Sequence, residues 1–218
     1  MCGRFAILSP AAELLAALGA EGGAELLARA RTNVAPSQVV PVVRNLAPRA
    51  FAPLAWGLVP AWAEGRPAFR PLINARAESL AQKPSFRGAL RARRCLVPAD
   101  GFYEWRREGL ARDARRQPFF IRRRDRRPFA FAGLWEGGTF TLVTCAPNAL
   151  VAPIHDRMPV ILPPEAHAAW LAVAPREPAE LAPLLGPLPD GELEAFPVSD
   201  RVNSPASDGP ELILPLRP

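Results

Sequence analysis

The residue with the most distinctive chemistry in this sequence is the cysteine at position 2. Removal of the initiator methionine, which is common before a small residue, would leave Cys2 with a free α-amine beside its thiol. The reference pKa values of these groups, about 8 and about 8.5, allow both to react near neutral pH. The amine forms a Schiff base with an aldehyde, and the thiol then closes a thiazolidine ring. A cysteine at position 2 is by itself more typical of an inert residue. Because Gly3-Arg4-Phe5 follows directly, we expect this terminus to be part of the fold, which favours a reactive role.

A carboxylate among aromatic residues is the second candidate, in the run Asp100-Gly101-Phe102-Tyr103-Glu104-Trp105. On a strand, alternation places Glu104 on the face opposite Tyr103 and Trp105. Burial there would raise the pKa of Glu104 and suit it to general acid–base catalysis. Spacing alone favours the other interpretation, a surface glutamate beside buried aromatic residues.

The sequence has two histidines, in different settings. His155 lies in a loop between apolar segments, next to Asp156 and Arg157, which suits a residue that transfers protons. A structural histidine with satisfied hydrogen bonds is an equal alternative at this position. His167 lies in a predicted helix, and we expect it at the surface.

A third polar segment, Ile73-Asn74-Ala75-Arg76-Ala77-Glu78, combines an amide with charged groups. The amide of Asn74 can both donate and accept, so it could hold an amine or an aldehyde oxygen. Arg76 offers a forked donor for phosphate, whereas Glu78 could simply pair with a neighbour. Among the tryptophans in apolar runs, we expect only Trp62 to stack on nucleic-acid bases.

Short strands and a few helices must position these side chains. Runs rich in β-branched and aromatic residues, separated by Pro, Gly or charged turns, predict strands at 39–44, 51–58, 94–97, 102–106, 118–123, 129–134, 140–145 and 159–162. Helix signals predict helices after Ser9-Pro10 as far as Gly19 and at 24–31, 76–82, 85–91, 163–171 and 179–185. The predicted fold class is α+β, a single domain over 2–218 with a largely antiparallel, barrel-like β-sheet core and peripheral helices.

Composition narrows the function classes. The chain has 218 residues and a formal net charge of +6. This charge is compatible with a nucleic-acid partner, but a composition rich in arginine explains it equally well. The arginine run 122–127 lies between two predicted strands, so we expect a solvated hairpin turn there rather than a binding site. Three cysteines are too few for a disulfide framework, which predicts a reducing compartment, and we expect Cys95 and Cys145 in the core.

The sequence lacks an apolar run of about 20 residues and a signal-peptide pattern, so we expect a cytoplasmic protein without a membrane segment.

Six segments taken together resemble one known family. They are Met1-Cys2-Gly3-Arg4-Phe5, Asn33-Val34-Ala35-Pro36, Trp56-Gly57-Leu58-Val59-Pro60, Ile73-Asn74-Ala75-Arg76-Ala77-Glu78, Asp100-Gly101-Phe102-Tyr103-Glu104-Trp105 and Ile154-His155-Asp156-Arg157-Met158-Pro159. Their order along nearly the whole chain is similar to that of the SOS-response-associated peptidase family, whose members are also called abasic-site processing proteins. One departure is Ala63, which follows Trp62 where some relatives carry a second tryptophan.

The resemblance implies that Cys2 cross-links to ring-opened abasic sites in single-stranded DNA through a thiazolidine and shields them during the response to DNA damage. It implies that Asn74, Glu104 and His155 complete the active site. A Schiff base would also permit β-elimination, so we expect strand-cleaving lyase activity as a side reaction, together with autoproteolytic removal of Met1. The residues implied to line the DNA path are Arg4, Asn33, Trp62, Arg76 and Arg157.

Three other functions remain open for the same residues. An N-terminal-nucleophile amidotransferase also begins Met-Cys-Gly and would use the Cys2 thiolate on a glutamine amide. A thiol peptidase would pair Cys2 with His155, and a non-catalytic module would bind DNA without a covalent product. We expect neither a metal nor a cofactor. The expected partner is single-stranded DNA with abasic sites, bound by a monomer that associates with the nucleoid in a bacterium.

Overall fold

A computed structural model describes residues 2–109, 111 and 114–216, so that Met1, whose removal we expect, lies outside the described residues. Within them, the strands are β1 (Arg4–Ile7), β2 (Arg31–Val34), β3 (Val39–Arg44), β4 (Phe51–Trp56), β5 (Asn74–Arg76), β6 (Arg94–Ala99), β7 (Gly101–Arg107), β8 (Arg116–Arg123), β9 (Phe129–Glu136), β10 (Thr139–Cys145), β11 (Met158–Pro159), β12 (Ile161–Leu162) and β13 (Leu193–Pro197). The α-helices are α1 (Ala11–Leu18), α2 (Pro84–Ala92), α3 (Pro164–Trp170) and α4 (Pro178–Leu181). None of these helices is long and apolar enough to cross a membrane.

The core of the molecule is a closed barrel of five strands. The strands follow one another in the order β10, β4, β3, β6 and β9, and pairing of β9 with β10 closes the ring. All of these pairs are antiparallel except β10 with β4. The predicted α+β fold with a largely antiparallel, barrel-like core is therefore confirmed.

A second, antiparallel sheet carries the reactive terminus. Its order is β13, β8, β7, β1 and β2, and β1 pairs with β7 in the register Arg4 to Tyr103. The chain passes from the barrel into this sheet at Asp100, whose carboxylate accepts hydrogen bonds from the backbone N–H groups of Leu8 and Ser9. These bonds tie the far end of β1 to the start of β7, the strand that carries Glu104.

Aromatic packing holds β1 against the barrel. The ring of Phe5 lies edge-on to Trp56 and to Phe131, with ring centroids 5.1 and 5.7 Å apart. Such pairs contribute roughly 0.5–1.5 kcal/mol beyond the area they bury. Gly101 is required at the start of β7, because a Cβ atom there would clash with the ring of Phe120. The segment that begins at Cys2 is thus anchored on a rigid scaffold.

The structure differs from the sequence prediction mainly in its short elements. The four strands β1, β2, β5 and β13 were not predicted, because each has only three to five residues and is paired by strands distant in sequence. The helix predicted over 76–82 is wrong: β5 ends at Arg76, and only one 3₁₀ turn, Ala77–Ser79, follows.

The side-chain predictions outside the site have mixed outcomes. Cys95 and Cys145 are buried, as predicted. The arginine run forms the turn between β8 and β9, where Arg123 pairs with Asp125. The surface position predicted for His167 is wrong, because this residue of α3 is buried and its Nε2 lies 3.1 Å from the carbonyl oxygen of Leu162.

Candidate active site

Cys2 lies two residues before the start of β1 and is fully buried. Its carbonyl oxygen accepts a hydrogen bond of 2.8 Å from the Asn74 side chain, and its Sγ lies 3.8 Å from the carbonyl oxygen of Arg4. Burial, followed by the nearby charge of Glu104, raises the pKa of the Cys2 thiol well above its ordinary value. The thiol is therefore protonated at neutral pH.

Asn74 reaches Cys2 from β5, a strand fixed by parallel pairing with β10 in the register Asn74 to Leu142. Its amide nitrogen is engaged by the Cys2 carbonyl. Its Oδ1 is buried and has no hydrogen-bond partner among the described residues. Because a buried polar atom is normally paired, this oxygen offers an acceptor for a group that arrives during the reaction.

Glu104 occupies the middle of β7, and its side chain is only 1% exposed. The interpretation as a surface glutamate, which spacing alone favoured, is therefore wrong. Burial raises the pKa of Glu104 to about 8, with a smaller contribution from the charge of Asp156. At neutral pH the carboxyl group is mostly protonated and can donate a proton.

His155 faces Glu104, with 3.8 Å between Nε2 and the carboxyl Oε2. Its Nδ1 accepts a hydrogen bond of 3.0 Å from the backbone N–H of Arg157, which assigns the ring proton of the neutral form to Nε2. Burial lowers the pKa of His155, so the neutral form predominates at neutral pH. The exposed Asp156 carboxylate lies 3.0 Å from Nδ1 and could pair only with the cationic ring, because a nitrogen that accepts cannot also donate.

The raised pKa of Glu104 predicts a pH-dependent stability. The folded state keeps this proton from the ordinary pKa of 4.5 up to about pH 8, whereas the unfolded state loses it. The free energy of unfolding should therefore fall across this window and then level off. We expect Glu104→Gln to remove this decline, which corresponds to roughly 1.4 kcal/mol for each pH unit. Urea titrations at pH 5 and pH 9 measure it, and equal pH dependence of variant and wild type would contradict the assignment.

Two of the residues implied to line a DNA path are bound by other parts of the protein. The guanidinium of Arg157 makes two bonds to Glu78, of 2.7 and 2.8 Å, and its side chain is 12% exposed. Asn33 is buried, and its amide nitrogen donates to carbonyl oxygens of the segment 202–207. Both side chains are therefore hydrogen-bonded within the protein in this structure.

The other three implied DNA residues are at least partly accessible. Trp62 is 49% exposed and packs edge-on against Phe69, with ring centroids 5.5 Å apart. Arg76 is exposed at the end of β5, next to Asn74. Arg4 is half-buried and donates a bond of 3.3 Å to the carbonyl oxygen of Asn203. These three side chains are available for contacts with a ligand.

A cleft that the sequence did not predict lies beside the site. It has a volume of about 400 Å³ and is lined by Trp105, Arg115, Arg116, Asp200 and Asn203. The charge of Arg116 reaches His155, where it adds to the effect of burial in lowering the pKa. The aromatic run that contains Trp105 was a signal for this cleft, but the approach of residues 200–203 could not be foreseen.

No group of three His, Cys, Asp or Glu side chains is arranged to hold a metal ion in the part of the chain that the structure describes. The groups brought together around Cys2 are instead an amide, a buried carboxyl and an imidazole. Together they can hold an amine, donate a proton and receive one.

Comparisons with known proteins identify the family of this chain. Residues 1–205 match the family described as SOS response associated peptidase (SRAP). The abasic site processing protein YoqW of Bacillus subtilis is 38% identical over 98% of this chain and 99% of its own. The abasic site processing protein YedK of Escherichia coli is 33% identical over 99% of this chain and 100% of its own. A crystal structure of a Bacteroides thetaiotaomicron protein, 26% identical, superposes with a TM-score of 0.82 over 99% of this chain and 100% of that one. The chain therefore belongs to the SOS response associated peptidase family.

Proposed function

We propose that this protein processes abasic sites in single-stranded DNA by bonding covalently to them through Cys2. The observation that carries the proposal is the meeting of Cys2, Asn74, Glu104 and His155 in one largely buried site. Relatives that match nearly the whole chain are named abasic site processing proteins, which supports the same substrate. The reactive group on that substrate is the aldehyde at C1′ of the ring-opened sugar.

The reaction begins once Met1 has been removed. The Cys2 nitrogen adds to the aldehyde carbon, and the resulting hydroxyl group takes the proton of Glu104 and leaves as water. This leaves an iminium ion and an ionised Glu104. The thiol sulfur then adds to the iminium carbon, and ionised Glu104 takes the thiol proton, which restores its acid form and leaves a neutral N–H in the ring. In total, one C–N bond and one C–S bond replace the aldehyde C=O bond, and one water is released. No group is oxidised or reduced.

The neighbouring side chains have separate roles in this scheme. Asn74 holds the Cys2 carbonyl, and its open Oδ1 can accept a hydrogen bond from the amine. His155 assists opening of the sugar ring with its Nε2 proton. Before the thiol adds, the Schiff base also permits β-elimination, so strand cleavage is a side reaction of the same intermediate.

The raised pKa of Cys2 distinguishes this chemistry from the two thiolate mechanisms. A peptidase or an amidotransferase needs a thiolate activated by a base, whereas burial keeps this thiol neutral. In addition, the Nε2 of His155 faces the Glu104 carboxyl group. Aldehyde capture starts from a neutral amine and does not require a thiolate in its first step.

A denaturing gel tests the proposal most directly. The processed protein is incubated with single-stranded DNA that carries one abasic site, and a retarded band is expected. A tetrahydrofuran analogue is the matched control, because it cannot open to an aldehyde. If the protein binds both DNAs but gives no retarded band, it is a non-catalytic DNA-binding module. Glutaminase activity would instead favour the amidotransferase.

Phosphate binding is expected to depend on Arg76. Each phosphate contact on a single strand contributes about 0.7 to the slope of log affinity against log salt. Arg76→Ala should flatten this slope by about that amount, because the residue is exposed beside Asn74. Arg157→Ala should change the slope less, because Glu78 holds its guanidinium. Fluorescence anisotropy at several salt concentrations measures this, with exposed Arg124, in the β8–β9 turn, mutated to alanine as the control. An unchanged slope for Arg76→Ala would exclude it as a phosphate ligand.

A further inference from the structure

We propose that Glu78 is a positioning residue, which acts through Arg157 to hold the His155 ring in the orientation that faces Glu104. The inference rests on the proposed function for its catalytic consequence. The orientation itself is a property of the protein and can be measured without DNA. No role beyond pairing with a neighbour follows for Glu78 from its place in the sequence.

The first step is the bond between Glu78 and Arg157. Both carboxylate oxygens accept from the guanidinium, at 2.7 and 2.8 Å, across 79 positions of sequence. This hydrogen bonding keeps the pKa of Glu78 below its ordinary value, so the carboxylate is ionised at neutral pH. The Glu78 side chain is 57% exposed, and an exposed pair adds little stability. Its two-pronged geometry nevertheless restricts how Arg157 can sit.

The second step is the contact of Arg157 with the backbone of β10. Its Nη2 donates a bond of 2.7 Å to the carbonyl oxygen of Thr144 on β10. Thr144 is paired on either side, with Arg76 of β5 and with Pro159 of β11. The guanidinium thus connects the segment after β5 with the segment before β11. Asn74 lies in β5 itself, and His155 lies in the segment before β11.

The third step reaches the imidazole. The backbone N–H of Arg157 donates to Nδ1 of His155 at 3.0 Å. While that bond holds, the proton of the neutral ring is on Nε2, 3.8 Å from the Glu104 carboxyl oxygen. A shift in the backbone at Arg157 would release Nδ1, and the ring could then carry its proton on the wrong nitrogen or turn away from Glu104.

The variant Glu78→Gln tests this chain of contacts, because it keeps the size of the side chain but removes its charge and one acceptor oxygen. The matched control is Glu194→Gln, which breaks another Arg–Glu pair at 2.8 Å, with Arg122 at the end of β8 remote from Arg116. We expect Glu78→Gln to slow cross-linking at saturating DNA by roughly 10- to 100-fold, since a misplacement of about 1 Å can cost about 100-fold. The control should react at the wild-type rate.

Imidazole ¹⁵N NMR gives a readout that a loss of stability alone would not change. The chain has two histidines, so His155→Ala assigns both signals. The folded wild type should show His155 protonated on Nε2, and folded Glu78→Gln should show a mixture of tautomers. Arg157→Lys should have the same effect, because lysine keeps the charge but not the fork, and it supplies the test if Glu78→Gln folds poorly. Combining the two changes should add no further loss in rate.

The outcomes separate this inference from the proposed function. If the wild type forms no DNA adduct, the proposed function fails, while the NMR spectra still test the orientation of His155. If the wild type forms the adduct and Glu78→Gln keeps both the full rate and the wild-type tautomer, the positioning role is overturned. Additive losses in the double variant would also overturn it, because the two residues would then act independently.

Discussion

Cys2→Ala should abolish the stable DNA adduct, and this is the largest effect we expect. The thiazolidine needs the amine and the thiol of one residue, and alanine keeps only the amine. The variant should still form a transient imine, which borohydride would trap. Denaturing gels with and without borohydride measure both species.

The amine is as important as the sulfur in this scheme. An N-terminal tag that is not cleaved converts the Cys2 amine into an amide, and an amide nitrogen cannot condense with an aldehyde. We therefore expect a tagged protein to lose the stable adduct and the trappable imine together. Mass spectrometry of the untagged, active protein should show that Met1 is absent.

Cys95→Ala and Cys145→Ala are the matched controls, because both thiols are buried in strands of the barrel. They should lower thermal stability and leave cross-linking intact at temperatures where the variants are folded. Cross-linking by a protein that retains Met1 or an N-terminal tag would place the nucleophile elsewhere and overturn the assignment of Cys2.

Glu104→Gln should slow cross-linking at saturating DNA by about 10²- to 10⁴-fold, the usual contribution of a general acid or base. Glutamine preserves the shape of the side chain and part of its hydrogen bonding, so DNA binding should stay near the wild-type level. Rapid mixing and quenching measure the rate, and anisotropy measures the binding.

The pH profile identifies which form of Glu104 is active. Because burial raises its pKa to about 8, the proton needed for loss of water is present at neutral pH and disappears as the pH rises past that value. The wild-type rate should therefore fall on the alkaline side, and the residual rate of Glu104→Gln should show no such fall. A variant that reacts at the full rate with the wild-type profile would exclude Glu104 as the proton donor.

Much of the fold and the centre of the chemistry could be predicted from local sequence. The run of valines before Arg44 predicted β3 with the bounds that the structure has. The aromatic and β-branched runs likewise predicted most of the barrel strands, because strand propensity and turn residues act over a few neighbouring positions. Cys2 was identified from its residue type and position, since the 1,2-aminothiol is a property of one residue. The order of six motifs was sufficient to indicate the family.

The state of each polar side chain was decided only by tertiary structure. Local spacing favoured an exposed Glu104, and burial in the folded chain makes it a protonated acid instead. The resemblance implies that Asn33 lines the DNA path, and folding adds a hydrogen bond from its amide to a carbonyl oxygen 169 positions away. The resemblance implies the same for Arg157, and only folding shows that Glu78 binds its guanidinium. Desolvation and hydrogen bonding depend on which atoms lie within a few ångströms, and residues far apart in sequence supply those atoms only once the chain has folded.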